Sequence, residues 1–359
     1  MNKKIIFTAG GTGGHIFPAI NLMKHFSKKD YEVILVTDKK GKDFIKGCSE
    51  FKSYIIKADT PTRKNFFKIF FTLFIILYSL IKSFIIIKKE KPNLVIGFGG
   101  YVSFPISYAS KFFNLPLIIY ENNLILGRAN KFLLKIAKNI FLSKIIDKNF
   151  PEKYKKKILI TGSILEKRII NYSQPTKKSD NENLSILILG GSQGAEIFGK
   201  IIPPVINIIK NNGYNINIYQ QCTTNQKDSI INFYNKNHIN NYVFDFDKNI
   251  IKLISISDIA ITRCGASTTA ELVHTSTPFV AVPLPNSIDN HQYLNALFYK
   301  ENDCCWLLEQ KNFNEENLTN LIMEIIKNKN KLENIRKNMK KHQIKNVYNV
   351  IENKIRELI

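Results

Sequence analysis

The sequence is short of cysteine: five in 359 residues, with Cys304 and Cys305 adjacent and Cys48, Cys222 and Cys264 scattered. The number is odd and no CxxC pair occurs, so disulfides do not organise the chain and the usage fits a reducing cytoplasm. Acidic residues are also few, 29 Asp and Glu against 52 Lys and Arg, a formal net charge of +23. No RNA-recognition aromatic signature, zinc-finger spacing or basic zipper accompanies that charge. Nucleic acid is therefore not expected as a partner, which leaves an anionic membrane surface or a phosphorylated substrate. A secretory leader is not expected either, because Met1-Asn2-Lys3-Lys4 runs straight into an apolar, strand-like segment. What the chain does have is apolar residues, 44% of the total, enough for a large core and against wholesale disorder. Its length suits about two domains.

Short apolar runs bounded by turn signals alternate with helical stretches. Lys4–Ala9, Tyr31–Thr37, Asn93–Phe98 and Pro116–Tyr120 read as buried strands, and Pro18–Phe26 reads as a helix. Such alternation predicts a parallel α/β sheet. The polar stretch Asn171–Asn183 interrupts it and is a candidate linker. Strands resume at Leu184–Leu189, Tyr214–Tyr219, Tyr242–Phe246, Asp258–Thr262 and Phe279–Val282, and a Lys-rich helical tail follows from about Asn314. The unit of strand, Gly-rich turn and helix occurs twice, at Ile5–Gly14 and Ile186–Ala195. Two Rossmann-like halves facing a cleft follow, with ligands expected at the strands' carboxyl ends.

The first turn is Gly10-Gly11-Thr12-Gly13-Gly14-His15. Its glycines admit an anion to the backbone, and the helix that follows supplies free N–H groups and the positive end of its dipole. A dinucleotide site competes, since Asp38 ends the second strand where a ribose-binding acid would sit. The spacing G-x-G-x-x-G fails, however: from Gly11 its last position falls on Ile16. His15 projects from this loop with an intrinsic pKa suited to proton transfer. Gly190-Gly191-Ser192-Gln193-Gly194-Ala195 repeats the anion loop in the second half, with Ser192 adding a hydroxyl. Two further loops follow strands of the first half: Gly97-Phe98-Gly99-Gly100-Tyr101-Val102-Ser103 and Glu121-Asn122-Asn123. In the second half, Arg263-Cys264-Gly265-Ala266-Ser267-Thr268-Thr269-Ala270-Glu271 opens a helix with small and hydroxyl residues, and Glu271 could accept from a ribose diol. Gln292 and Asn295, three apart on one helix face, suit sugar hydroxyls.

Taken together, GGTGGH with Pro18, GFGGYVS, ENN, GGSQGA, the RCGAS-to-Glu271 segment and DNHQYLNA resemble the MurG glycosyltransferases, in that family's order across residues 10 to 296. The resemblance implies a GT-B fold. Its expected divisions here are an acceptor and membrane-side domain over 1–163, a donor domain over 164–340, and a C-terminal helix over 341–359 returning to the first. It implies inverting transfer of GlcNAc from UDP-GlcNAc to muramoyl-pentapeptide on undecaprenyl diphosphate (lipid I to lipid II), in peptidoglycan synthesis at the cytoplasmic membrane face. Carried over residue by residue, Thr12, Gly13, Gly14, Asn123, Ser192, Gln193, Ala266, Ser267, Thr268, Thr269, Ala270, Glu271 and Gln292 match the donor side. Asn295 matches a position near the sugar, and Asp247 lies in a segment that contacts uracil. His15, Tyr101 and Glu121 match acceptor-side polar residues, with His15 the first candidate base and Glu121 the second.

Two segments depart from the family. Its HEQN reads Tyr120-Glu121-Asn122-Asn123 here, and its GNPVR reads Gly162-Ser163-Ile164-Leu165-Glu166, with Glu166 where the family has a donor-contacting Arg. Asp245-Phe246-Asp247 is a DxD string, but loops already serve the diphosphate, so no metal or cofactor is expected. A nicotinamide-dependent oxidoreductase is the alternative; it uses only the first loop and Asp38. Finally, Phe66–Ile87 is a long apolar helix whose uncharged part, Ile69–Ile81, spans roughly 20 Å against a hydrocarbon core of about 30 Å. Flanked by Arg63, Lys64, Lys88, Lys89 and Lys91, it is expected to pack one face on the sheet and dip the other into an anionic bilayer.

Overall fold

The computed structural model describes residues 3–45, 51–57, 66–146, 150–172, 183–191, 196–247 and 249–359, with backbone alone at 66–71 and 183. The chain divides into two compact units, Met1–Glu166 with Ile344–Ile359, and Lys167–Gln343.

The first unit is built on a parallel sheet with β1 (Lys4–Thr8), β2 (Glu32–Thr37), β3 (Lys52–Ile55), β4 (Leu94–Gly97), β5 (Leu117–Glu121), β6 (Asn139–Leu142) and β7 (Ile158–Ile160). Their order is β3-β2-β1-β4-β5-β6-β7. Helices cover both faces, which is why β1, β4 and β5 read as unbroken apolar runs rather than alternating ones. Ile5, Ile6 and Phe7 are fully buried, as are Leu94 to Ile96. The last helix, Val347–Arg356, belongs to this unit although it comes from the chain's end. It is held by polar anchors: His25 Nε2 lies 2.8 Å from Glu352 Oε2, Lys29 donates to Glu352 Oε1 at 3.3 Å, and Tyr348 donates to the Leu165 carbonyl at 2.6 Å.

Helix Phe66–Glu90 is inside out. Thr72, Ser79 and Ser83 are fully buried, while Leu73, Phe74, Leu77, Tyr78, Ile81 and Ile85 are 49–64% exposed. The inward hydroxyls are used: Ser79 donates to the Lys57 carbonyl and Ser83 to that of Ser79, both at 2.6 Å. Among residues 72–90 of the helix, the buried apolar side chains are Ile86 and Ile87, near its end. Among the described residues no helix is long and apolar enough to cross a membrane.

The second unit holds β8 (Asn183–Leu189), β9 (Asn215–Gln221), β10 (Asn240–Phe244), β11 (Ile259–Thr262), β12 (Phe279–Ala281) and β13 (Cys305–Leu307) in the order β10-β9-β8-β11-β12-β13, again parallel. The tail resolves into separate helices: Glu315–Lys327, Lys329–Lys341 and Val347–Arg356. Asn314 and Asn328 cap the first two by accepting from the N–H three residues on.

Glu90 fastens the inside-out helix to the start of the first sheet. Its buried carboxylate receives Lys4 at 3.2 Å, Lys52 at 2.7 Å and the Tyr54 hydroxyl. A carboxylate at a helix C-terminus opposes the dipole, so these partners are what make it tolerable. Burial alone would push its pKa up. Hydrogen bonds from Lys52, Tyr54 and Lys4 together outweigh burial and hold it down to about 2, from an ordinary 4.5. A depressed carboxyl stabilises the fold above its unfolded pKa and loses that contribution as pH falls through the folded value. The contribution is about 3 kcal/mol at most. Glu90→Gln should therefore lower urea stability at pH 7 and flatten the acid-induced loss between about pH 4.5 and 2. An unchanged acid profile in the variant would remove Glu90 from this role.

Candidate active site

Each sheet has a point where the chain's direction of winding reverses. In the first, β1 is flanked by β2 on one side and β4 on the other; in the second, β8 is flanked by β9 and β11. Loops leaving such neighbouring strands diverge and open a crevice at their carboxyl ends. The motifs singled out in the sequence follow these strands or the next one in the sheet: 10–15 follows β1, 97–103 begins at the end of β4 and 121–123 at the end of β5 in one unit, while Gly190 and Gly191 follow β8 and 263–266 follows β11 in the other.

In the first unit the loops after β1 and β4 touch backbone to backbone. Gly100 has φ +80°, and a Cβ there would stand 3.0 Å from the Gly10 carbonyl oxygen. A Cβ on Gly10 would in turn meet Val102 Cβ at 2.9 Å. Ser103 Oγ donates to the Gly100 carbonyl at 2.8 Å and fixes the loop. Helix Gly13–Phe26 starts inside the motif, with Thr12 extended at the N-cap, so Gly13 and Gly14 present first-turn N–H groups that have no intrahelical acceptor. Gly14 is exposed, whereas Gly13 is buried against Phe17, whose ring a Cβ would meet at 2.8 Å.

His15 is half-buried, with Nδ1 3.2 Å from Thr12 Oγ1. Its other edge faces Gly99: a Cβ on that residue, at φ +89°, would lie 3.1 and 3.2 Å from Cδ2 and Nε2. A side chain at 99 would therefore crowd the Nε2 side of the ring. Tyr101 is half-buried in the same loop.

Glu121 is buried, and both carboxylate oxygens are engaged. Oε1 accepts from the Asn123 N–H and side-chain amide, each at 3.1 Å; Oε2 accepts from Gly127 N–H at 2.8 Å and Asn130 Nδ2 at 3.0 Å. The carboxylate therefore shapes the loop after β5. Asn130, buried and also donating to the Tyr120 carbonyl, was not legible as a site residue; a single Asn inside a short helix gives no pattern. The segments 120–123 and 162–166 meet here. Buried Tyr120 donates to Asn122 Oδ1 at 3.1 Å and to the Gly162 carbonyl at 3.4 Å, and accepts from Ile164 N–H at 3.1 Å. Burial pushes its phenol pKa up. Glu166 is half-buried and, after burial, adds to the raised pKa of Tyr348.

In the second unit, Ser192 and Gln193 lie outside the described residues, while Gly191 holds φ +81° with open space where a Cβ would be. Helix Ala266–His274 turns its small residues two ways. Ser267, Thr268 and Glu271 are half-buried, but Ala266 and Ala270 are buried, and so is Thr269, whose hydroxyl donates to the Gly265 carbonyl at 3.1 Å. Gln292 accepts through Oε1 from the N–H groups of Cys264 at 3.2 Å and Leu284 at 3.0 Å. With its oxygen so engaged, what Gln292 offers a ligand is its NH₂ group. Asn295 is fully buried and donates to the Cys264 carbonyl at 3.1 Å. The shared face of Gln292 and Asn295 thus braces the loop that starts the helix. Arg263, buried over the Phe198 ring at 4.9 Å, ties the same loop to the Val282 carbonyl at 3.1 Å and Gln310 at 2.6 Å.

Three acids with competing readings have local partners. Asp38 caps helix Lys39–Phe44, accepting from Gly41 N–H at 2.6 Å. Asp247 accepts from Tyr242 at 3.0 Å and from Asn249 N–H at 2.6 Å, and Asp245 from Phe246 N–H at 2.9 Å.

Gly100→Ala tests the loop contact. Both the positive φ and the Gly10 carbonyl oppose a methyl group, and the expected loss is about 1–3 kcal/mol of stability, read by denaturant titration. A variant as stable as the parent would show that the two loops can separate.

The glycosyltransferase family 28 N-terminal domain matches residues 5–142, and the family's C-terminal domain matches residues 185–353. A UDP-N-acetylglucosamine–N-acetylmuramyl-(pentapeptide) pyrophosphoryl-undecaprenol N-acetylglucosamine transferase of Pelagibacter ubique is 37% identical over 100% of this chain and 99% of its own length. The Rickettsia canadensis protein of the same name is 35% identical over 99% and 100%. The crystal structure of Acinetobacter baumannii MurG superposes with a TM-score of 0.81 at 25% identity, covering 99% of each chain. Nothing among these supports a nicotinamide enzyme. With both family domains present in order and relatives alike over their whole length, the chain belongs to the MurG family of family 28 glycosyltransferases.

Proposed function

We propose that this glycosyltransferase moves GlcNAc from UDP-GlcNAc to the acceptor its relatives' name specifies, N-acetylmuramyl-pentapeptide on undecaprenyl diphosphate, with His15 as general base. The observation that carries the assignment is the placement of His15, oriented by Thr12 and left room by Gly99 at the β1/β4 crevice. With Nδ1–H donated to Thr12 Oγ1, Nε2 holds the lone pair that takes the proton from the attacking acceptor hydroxyl. That hydroxyl displaces UDP from the anomeric carbon with inversion. Glu121, surrounded by donors, positions the acceptor loop instead of moving protons, and Tyr101 supplies a hydroxyl on the same rim. In the second unit, the glycine loop after β8 and the N–H groups at Ser267 stabilise the departing diphosphate. Glu271 accepts from the ribose, and Gln292 donates to the sugar or phosphate.

Steady-state kinetics test both assignments. His15→Ala should lower kcat by roughly 10²–10⁴ with little change in the donor KM. Glu271→Ala should raise the donor KM, by a loss of about 1–3 kcal/mol. Full kcat in the first variant would return the base to Glu121, and an unchanged KM in the second would reduce Glu271 to a helix-dipole residue.

The same reading seats the first unit on an anionic membrane face. Its support is the exposed apolar stripe of helix Phe66–Glu90 and the exposed Phe112 and Phe132, joined through rings: Phe84 to Phe112 at 5.3 Å, Phe112 to Tyr108 at 5.8 Å, and Phe104 to Phe132 at 6.3 Å. A contiguous apolar surface of this kind marks an interaction site. Lys88, Lys89, Lys91, Lys111 and Lys131 are exposed in the same elements or just beyond them, and each is worth about 1 kcal/mol near anionic lipid. Sedimentation with anionic vesicles should show binding that falls with salt and with Phe74→Ser plus Leu77→Ser. Binding indifferent to both, or none at all, would contradict the seat.

A further inference from the structure

The second unit also has a groove at the opposite end of its sheet from the glycine loops. It lies where edge strand β13 begins, between the last turn of helix His291–Glu301 and helix Lys329–Lys341, and encloses about 650 Å³. That is room for a ligand of nucleotide size. Lys300, Lys331, Lys337 and Lys341 line it, against one lining carboxylate, Asp303. Lys331 is paired with Glu324 at 2.8 Å, and the other three lysines outnumber Asp303, so the groove stays positive. Lys337 and Lys341 are four apart on one helix face, a like-charge pair that costs the helix a few tenths of a kcal/mol and that an anion would relieve.

The second observation is Trp306. It is 8% exposed, it lines the groove, and its buried indole N–H has no hydrogen-bond partner. An unmet donor of that kind costs free energy. Lys331 Nζ stands 5.9 Å from its ring centroid, so charge, an aromatic surface and an unmet donor occur together. We propose that this groove is a binding site for a di- or oligophosphate, separate from the site of transfer, in which the lysines pair with phosphate oxygens beside the Trp306 ring.

The chain has a single tryptophan, so its fluorescence reports on the groove alone. Titration of the full chain with inorganic diphosphate should change that emission saturably, and the effect should weaken as salt rises. Lys337→Glu with Lys341→Glu should raise the apparent Kd at least about tenfold, while Lys236→Glu, on a distant helix, should leave it unchanged. The double variant should keep the parent's KM for UDP-GlcNAc, which separates the groove from the donor site. ADP in place of diphosphate distinguishes the sources: tighter binding identifies a nucleotide, equal binding the phosphate chain alone, and either supports the site. No emission change with either compound at millimolar concentration, or a change that survives the double charge reversal, would overturn it.

Discussion

Most of the candidate site depends on one close approach, the Gly100 backbone against the Gly10 carbonyl. The first sheet reverses its winding between β1 and β4, and loops leaving such neighbours normally splay apart. Here they instead share a backbone contact, which both residues permit because neither carries a side chain. Gly99 follows from the same constraint. Once its loop is held down on the first, the next atoms along it are those that border His15. The ring's other side is fixed by Thr12, the residue that caps the helix bearing it. The position of the proposed base is thus a property of two loop backbones and the Thr12 hydroxyl.

Helix Phe66–Glu90 obeys a different constraint. A soluble helix buries its apolar stripe and wets its hydroxyls, but this one buries Thr72, Ser79 and Ser83 and exposes Leu73, Phe74, Leu77 and Ile81. Small hydroxyl side chains let it lie close to its unit and satisfy their own hydrogen bonds on carbonyls. The Glu90 cluster then fixes its C-terminal end without using the outer face. An enzyme whose acceptor sits in lipid has a use for an apolar face that folding leaves unspent. Under the proposed function, this face and the basic residues near it bring the acceptor to the crevice.

The strands buried along most of their length could be read from sequence because burial on both faces leaves an uninterrupted apolar run: β1, β2, β4, β5, β8 and β11 lie within or nearly within the expected segments. Strands β3, β6, β7 and β13 could not. They have four, four, three and three residues, and their extended state is set by pairing to a neighbour. The glycine motifs were legible because few other reasons place so many glycines together. Side-chain direction was not. The pattern grouped Ser267 with Thr269 and Gln292 with Asn295, yet the second of each pair is buried and bonded to backbone. Glu121 read as a free carboxylate because its four donors come from residues up to 130, beyond any local motif. Asp38 matched a nucleotide-binding acid for a similar reason, since a helix cap has the same local sequence as a ribose contact.

The account centres on sugar transfer by direct displacement. The most direct measurement incubates the chain with labelled UDP-GlcNAc and a lipid I analogue in anionic vesicles, following UDP release and the anomeric configuration of the product together. The account predicts that one UDP is released per GlcNAc transferred, and that the α-linked donor gives a β-linked disaccharide. A product of retained configuration, or no transfer across varied lipid and salt, would contradict it.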